Sequence, residues 1–160
     1  MVKDIYGRKD RLIKEKRHDV YQDRSKLPEP TQCPRCYAIY IDGRWTWKKT
    51  NSVKYQTLCP ACRRIEDNYP AGFVRLTGPF YRQHRDEIIN LVRNVESKEK
   101  ELHPLERIMN ISDLNGTTEI TTTGVHIARR IGEALSRAYK GDFDMQYVED
   151  DKSIRVQWER

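Results

Sequence analysis

The chain contains four cysteines, and their spacing groups them into two matched pairs. Each pair has the form Cys-Pro-x-Cys, first at Cys33 and Cys36 and again at Cys59 and Cys62, with 22 residues between the pairs. A CxxC turn lets two thiolates point at one ion, and a hairpin-sized spacer brings the second turn back to complete a tetrahedral shell of four sulfur atoms. The sequence therefore predicts a structural site that holds one Zn²⁺ per chain.

Three other uses of the cysteines have to be weighed against zinc. Disulfides require an oxidising compartment, and the first residues of the chain contain no apolar segment of the secretory type. A thioredoxin-like redox pair requires one CxxC that opens a helix in a βαβ unit, rather than two matched turns. A rubredoxin-like iron centre uses the same turns, and only metal analysis separates it from zinc.

The residues between the two cysteine pairs predict the sheet that positions them. Asp42-Gly43 lies between alternating aromatic and β-branched residues, which is a strong signal for a type I′ hairpin turn. A further strand, from about Val53 to Leu58, leads into the second pair of cysteines. The prediction is a three-stranded zinc ribbon in a domain of residues 29–74.

Length and composition restrict the class of protein. A chain of 160 residues can hold one ordinary domain or two small ones, and each small one needs a staple such as a metal ion. Charged residues make up 34% of the chain, and no apolar run approaches the length that spans a membrane. These features predict a cytoplasmic protein without a membrane partner.

The net charge of +6 is unevenly distributed. Residues 1–26 sum to +4, residues 33–64 to +6 and residues 65–160 to −3. A polyanionic partner is therefore expected at the ribbon and at a basic N-terminal arm, residues 1–28, although a solvated tail without a partner has the same composition. The predicted contacts on the arm are Arg8, Lys9, Arg11, Lys14, Lys16 and Arg17.

Basic and aromatic residues alternate on the ribbon, a composition suited to phosphate contact and to base stacking on single-stranded or irregular RNA. The predicted RNA-binding residues there are Arg35, Arg44, Trp45, Trp47, Lys48, Lys49, Lys54, Arg63 and Arg64. For the two indoles, packing in the thin ribbon core or against the rest of the chain is favoured over stacking, because large aromatic side chains are usually buried.

Residues 75–107 predict a helical connector that starts at Pro79, since proline is tolerated at the first helical position. Its apolar stripe at helical spacing consists of Phe80, Tyr81, His84, Ile88, Leu91, Val92 and Val95. Residues 108–160 predict a ββαββ domain, with an Asn115-Gly116 hairpin, a helix capped by Thr122 or Thr123 that ends at Gly141, and two closing strands. The expected fold class is α+β.

The cysteine pairs, the closing strands and one helical motif together resemble a known family. The motif is Thr-x-x-His-x-Ala-Arg-Arg-Ile, here Thr123, His126, Ala128, Arg129, Arg130 and Ile131. This combination is similar to the central part of the Nmd-type large-ribosomal-subunit export adaptors of archaea and eukaryotes, loosely at the cysteines and better over residues 117–160. The chain as a whole looks more like a short bacterial zinc-ribbon family with the same plan, from Arg11-Leu12-Ile13 to Trp158.

This resemblance implies association with the ribosome or with ribosomal RNA, in assembly, hibernation or quality control. The chain has two CxxC pairs where the adaptors carry more, and it lacks their further domains and export signals, so nuclear transport is not implied. Only the four cysteines transfer residue by residue.

The sequence predicts a noncatalytic protein without a small-molecule substrate. It has no glycine-rich phosphate loop, no Gly-x-Ser-x-Gly and no His-x-Glu before the cysteines. A shell of four thiolates also denies zinc the open position that catalysis needs. The alternative function is a DNA-binding or transcription-associated zinc ribbon, which composition alone does not separate from an RNA-binding one.

Overall fold

The computed structural model describes Tyr21, residues 26–150 and residues 152–160. Within these residues the chain is a mixed α+β protein with two small sheets and four helices. The predicted contacts of the N-terminal arm, Arg8, Lys9, Arg11, Lys14, Lys16 and Arg17, lie outside the described residues. Across the described residues, no helix is both long and apolar enough to cross a membrane.

Residues 27–68, here called the cysteine lobe, contain a sheet of four very short strands. In chain order these are β1 (Thr31–Gln32), β2 (Ile39–Ile41), β3 (Arg44–Thr46) and β4 (Tyr55–Gln56). They lie in the order β3-β2-β1-β4, so β1 is an unpredicted fourth strand, and the strand expected from Val53 to Leu58 is reduced to β4. The predicted turn is confirmed, because both Asp42 (φ 54°) and Gly43 (φ 77°) have positive φ.

A helix, α1 (Pro60–Asp67), follows β4 and completes the cysteine lobe. It begins at the second cysteine pair and was not predicted. Pro60 occupies its first turn, where a missing N–H costs nothing, and Asn68 ends it in the left-handed conformation.

Residues 72–160, here called the sheet lobe, contain the larger sheet. Its strands are β5 (Gly72–Thr77), β6 (Ile108–Leu114), β7 (Thr117–Thr122), β8 (Asp142–Val148) and β9 (Ser153–Glu159). The two predicted hairpins are present, with Asn115 and Gly116 at positive φ in the first of them. They do not pair with each other, because the order is β6-β7-β5-β9-β8 and the unpredicted strand β5 separates them. The expected domain boundary at residue 74 falls inside this central strand.

Three helices belong to the sheet lobe: α2 (Pro79–Gln83), α3 (Arg85–Leu102) and α4 (Val125–Tyr139). The single helix predicted from Pro79 is interrupted at His84, whose φ of −117° and ψ of 23° are not helical. Helix α4 approaches β8 and β9 closely at Gly132, where a Cβ would collide with Phe143 and Val156. The buried core of the lobe consists of Val74, Leu76, Tyr81, Ile88, Ile89, Val92, Ile120, Ile127, Ala128, Ile131, Leu135, Ile154, Val156 and Trp158.

Candidate metal centre

The four cysteines, which are all the cysteines of the chain, converge on one point of the cysteine lobe. Their Sγ atoms lie within 4.8 Å of one another, and none of them forms a disulfide. The Sγ atoms of Cys36 and Cys59 are 3.8 Å apart. A tetrahedral ion with bonds of about 2.3 Å to sulfur requires S···S distances of about 3.8 Å, so this spacing fits a four-thiolate shell. The cluster can therefore hold one metal ion.

The first CxxC pair lies on a tight reversal after β1. The amide of Cys33 donates to the carbonyl of Ala38 at 2.9 Å, and the amide of Tyr37 donates to the carbonyl of Cys33 at 3.0 Å. Tyr37 closes the reversal with φ of 67°, in the left-handed region that a bulky residue rarely occupies. Its side chain is 67% exposed, while Cys33 is fully buried. The backbone thus turns the thiols inward and the tyrosine ring outward.

The second CxxC pair uses the start of α1. Cys59 is the N-cap, and its Sγ accepts a hydrogen bond from the amide of Cys62 at 3.4 Å. The N-terminus of a helix favours negative charge, but the hydrogen bond to Cys36 and burial raise the pKa of the Cys59 thiol. Strands β4 and β5 on either side of α1 belong to different sheets, so the redox arrangement of a helix inside a βαβ unit is not formed here.

A residue that sequence reasoning missed, Arg107, completes the surroundings of the cluster. Its Nη2 donates to Cys36 Sγ at 3.1 Å and to Cys59 Sγ at 3.5 Å, and its Nη1 donates to Cys62 Sγ at 3.2 Å. Arg107 is only 6% exposed. Four thiolates around a divalent ion leave a net charge of about −2, and a buried guanidinium that donates to three of them offsets part of it.

The same contacts shift the pKa values of the cysteine thiols. A hydrogen bond from the Cys59 thiol, together with the positive charge of Arg107, lowers the pKa of Cys36 far below the usual range of a thiol. Burial raises the pKa of Cys62, and hydrogen bonds from Arg107 and Cys59 oppose that rise. Cys36 is therefore the cysteine of the cluster whose pKa is shifted towards the thiolate, the form that binds a metal.

Arg107 belongs to the sheet lobe, where it lies just before β6 and is held by two hydrogen bonds. Its Nε donates to the carbonyl of Pro104 at 2.8 Å, and its backbone amide donates to Thr123 Oγ1 at 2.9 Å. Thr123, predicted as a helix cap, therefore fixes Arg107, and the N-cap of α4 is Gly124. No sequence pattern marks Arg107, because it is separated from the last cysteine by more than forty residues.

Trp47 joins the two lobes beside this arginine. Its Nε1 donates to the carbonyl of Lys100 on α3 at 2.7 Å, and the Arg107 guanidinium lies 5.8 Å from the centre of its ring. Trp45 is 9% exposed and meets Tyr40 edge-on with ring centres 5.6 Å apart. The packing interpretation of both indoles is therefore the one that the structure shows, and the stacking assignment was wrong for Trp45.

The other predicted RNA contacts divide into exposed and covered residues. Arg64 is 6% exposed and donates to the carbonyl of Tyr69 at 3.0 Å, so it cannot present its charge to a partner. Arg63 is half-buried, and its Nη2 donates to Thr57 Oγ1 at 3.2 Å. The exposed members of the set are Arg35, Arg44, Lys48, Lys49 and Lys54.

Comparison of the chain with protein family models, with curated proteins and with solved structures found no match. The chemistry of the site therefore follows from its own donor atoms and charges. Those are a cluster of four cysteines of which three are buried, a buried arginine that links the cluster to the sheet lobe, and exposed cations elsewhere on the cysteine lobe.

Proposed function

We propose that this protein is a noncatalytic RNA-binding protein that associates with the ribosome in the cytoplasm, and that one structural Zn²⁺ holds the cysteine lobe in its binding shape. The observation that carries the proposal is the set of exposed cations on that lobe. Arg35, Arg44, Lys48, Lys49 and Lys54 are exposed, and none of them forms an ion pair with a carboxylate of the described residues.

On the sheet lobe, by contrast, several cations are paired with carboxylates. Arg85 is paired with Asp113 at 2.6 Å, Arg129 with Glu133 at 3.6 Å and Arg130 with Glu99 at 3.6 Å. Unpaired cations on a small, rigid unit are available to phosphates, and each contact releases a condensed counterion. The charge of the cysteine lobe is thus better explained by a polyanionic partner than by internal ion pairs.

Zinc is supported by the donor set, because four thiolates in tetrahedral spacing are typical of structural zinc sites. A complete shell leaves no position for substrate, so the chemistry that the ion supplies is structural. The contacts between the lobes, made by Arg107, Thr123 and Trp47, would then fix the cysteine lobe relative to the sheet lobe. Iron in the same shell is distinguished by elemental analysis of the purified protein.

Tyr37 supports a nucleic-acid partner independently of charge. It is a large aromatic residue in a strained left-handed conformation, it is 67% exposed, and glycine would fit its backbone better. Tyr55, beside Lys54, is 50% exposed. Exposed rings next to cations are suited to stacking with unpaired bases, so we assign to these tyrosines the role that the indoles do not fill.

Ribosomal RNA as the partner is supported by the resemblance of the cysteine pairs and of residues 117–160 to the Nmd-type adaptors. The direct experiment is to follow the tagged protein through ribosome gradients from growing and starved cells. Comigration with a ribosomal species is expected. A protein that comigrates with none of them, yet retains duplex DNA at moderate salt, would instead have the alternative function of a DNA-binding zinc ribbon.

Neutralising three cations of the cysteine lobe should weaken RNA binding and its dependence on salt. In the triple variant Lys48→Gln, Lys49→Gln and Lys54→Gln, three phosphate contacts are lost, and each contributes about 0.7 to the slope of log K against log salt concentration on single strands. The slope measured on a ribosomal RNA fragment should therefore fall by about 2. The charge-matched control, Arg93→Gln, Lys98→Gln and Arg137→Gln, changes exposed cations of the sheet lobe. Equal effects of the two triple variants would show that the cysteine lobe is not the binding surface.

Replacing Tyr37 with glycine should lower RNA affinity without lowering the stability of the fold. The change relieves left-handed strain worth about 1–2 kcal/mol, so the free energy of unfolding should stay unchanged or rise. RNA affinity should fall by about 1–3 kcal/mol if the ring stacks on a base. Thermal unfolding and a fluorescence binding titration measure the two quantities on the same sample. A stable variant with full RNA affinity would remove Tyr37 from the interface.

A further inference from the structure

A second cluster of metal-ligating side chains lies in the sheet lobe, outside the four cysteines. Glu99 and His103 come from the end of α3, and His126 comes from the first turn of α4. One ligand atom from each lies within 4.8 Å of the others. Glu99 Oε2 is 3.2 Å from His126 Nε2, and the rings of His103 and His126 meet edge-on with centres 5.8 Å apart.

We propose that Glu99, His103 and His126 form a second metal site, which takes a divalent transition-metal ion such as Zn²⁺, Ni²⁺ or Co²⁺. Two imidazoles and one carboxylate are a donor set that these ions prefer. Bonds of about 2.0–2.1 Å in a tetrahedral shell place neighbouring ligand atoms about 3.3–3.4 Å apart. The spacing between Glu99 Oε2 and His126 Nε2 matches that edge. His103 is exposed, so its ring can turn to add the third ligand.

A cationic group already lies beside two of these three side chains. Arg130 Nε lies 3.6 Å from Glu99 Oε1 and 3.5 Å from His126 Nε2. The Arg130 guanidinium therefore lies against both the carboxylate and the imidazole. The Arg130 side chain is 48% exposed, so it can swing into solvent at little cost when an ion takes its place.

The groups around the other nitrogen of His126 allow this exchange. Binding of an ion at Nε2 leaves the remaining proton on Nδ1. Arg129 Nη2 lies 3.3 Å from that Nδ1, and Arg129 also pairs with Glu133 at 3.6 Å. When Nδ1 carries the proton, Arg129 can remain with Glu133. The site can thus exchange one cation for another while Arg129 keeps its carboxylate partner.

The proposed site opens on a cavity of about 940 Å³. His103 and His126 line it from the sheet lobe, and Arg44, Trp47 and Lys48 line it from the β2–β3 hairpin and the residues that follow. Three protein ligands leave at least one coordination position, and two of the three ligands line this cavity. We therefore expect an exchangeable ion, in contrast to an ion held by the buried cysteines.

The test uses the full chain with the four-cysteine site already loaded with zinc. Calorimetric titration with Zn²⁺ or Ni²⁺ should show one further equivalent. The variants His103→Ala and Glu99→Gln should each weaken it by at least about tenfold, since even changes outside the ligand set cost that much at metal sites. Arg130→Ala should strengthen it, because the competing cation is gone. Arg137→Ala and His84→Ala, which lie outside the cluster, are the matched controls and should leave the affinity unchanged.

The proposal is overturned if the zinc-loaded protein takes up no further ion. It is equally overturned if the double variant His103→Ala and Glu99→Gln, shown by circular dichroism to be folded, still binds the ion with full affinity. An Arg130→Ala variant whose affinity does not rise would contradict the exchange of one cation for another. None of these results bears on RNA binding, because the cysteine lobe supplies the cations proposed for that function.

Discussion

Removal of the metal with a strong chelator should unfold the cysteine lobe and leave the sheet lobe folded. The buried core of the cysteine lobe is Cys33, Ala38, Trp45, Cys59, Ala61 and Cys62, so half of its members are the proposed ligands. Its strands are two or three residues long. Binding of structural zinc contributes about 10–16 kcal/mol in small domains of this kind, far more than such a core supplies. The core of the sheet lobe contains no cysteine.

Tryptophan fluorescence and NMR can follow the two lobes separately. Trp45 and Trp47 report on the cysteine lobe, and Trp158, which is fully buried, reports on the sheet lobe. Chelation should expose the first two indoles, and added zinc should restore their burial. Cys36→Ser should have the same effect without a chelator. An intact cysteine lobe in metal-free protein would refute a structural role for the ion.

Replacing Arg107 with methionine should lower both the free energy of unfolding and the affinity for zinc. The variant keeps much of the side-chain volume but leaves a buried, negatively charged cluster without its counter-charge. Breaking a buried pair in this way costs about 3–5 kcal/mol. Zinc affinity should fall about 10- to 100-fold, as it does when hydrogen-bond partners of metal ligands are removed. Competition with a chromogenic chelator measures the affinity, and chemical denaturation measures the stability.

The matched control is Arg85→Met in the same lobe. Arg85 also makes a close ion pair, with Asp113 at 2.6 Å, but both side chains are substantially exposed, at 37% and 50%. Surface pairs of this kind contribute about 0–1 kcal/mol. The variant Arg107→Lys keeps the charge but cannot span three sulfur atoms. Its zinc affinity and its stability should therefore lie between those of the wild type and of Arg107→Met. If Arg85→Met and Arg107→Met lowered the free energy of unfolding equally, the contact of Arg107 with the thiolates would contribute no more than a surface ion pair.

The local features of this protein were predictable from sequence because each one depends on neighbouring residues. Asp42-Gly43 and Asn115-Gly116 both supply the two positive-φ positions of a tight hairpin turn, and both turns are present. Alternation in the last two strands places Phe143 opposite Trp158 and Met145 opposite Val156. The spacing of the cysteine pairs indicates a four-thiolate site, since a CxxC turn is a local structure.

The features that were missed depend on partners far apart in the chain. Strand β5 is the centre of the larger sheet, yet its two neighbours are β7 and β9, and no periodicity within residues 72–77 reveals them. Arg64 was predicted to contact RNA because of its charge, and only the packing of the folded chain shows that it is buried.

The sequence by itself thus determined the grouping of the four cysteines, the turns and the sign of the charge. The tertiary structure decided which cations stay exposed and which residue faces the thiolates. Arg107 becomes the counter-charge of the cluster only because Thr123 and Pro104 hold it where the two lobes meet. The physical reason is that a buried charge is stabilised by any opposite charge that folding brings within hydrogen-bond distance. Two residues that are this close in space can be separated by any number of residues in the sequence.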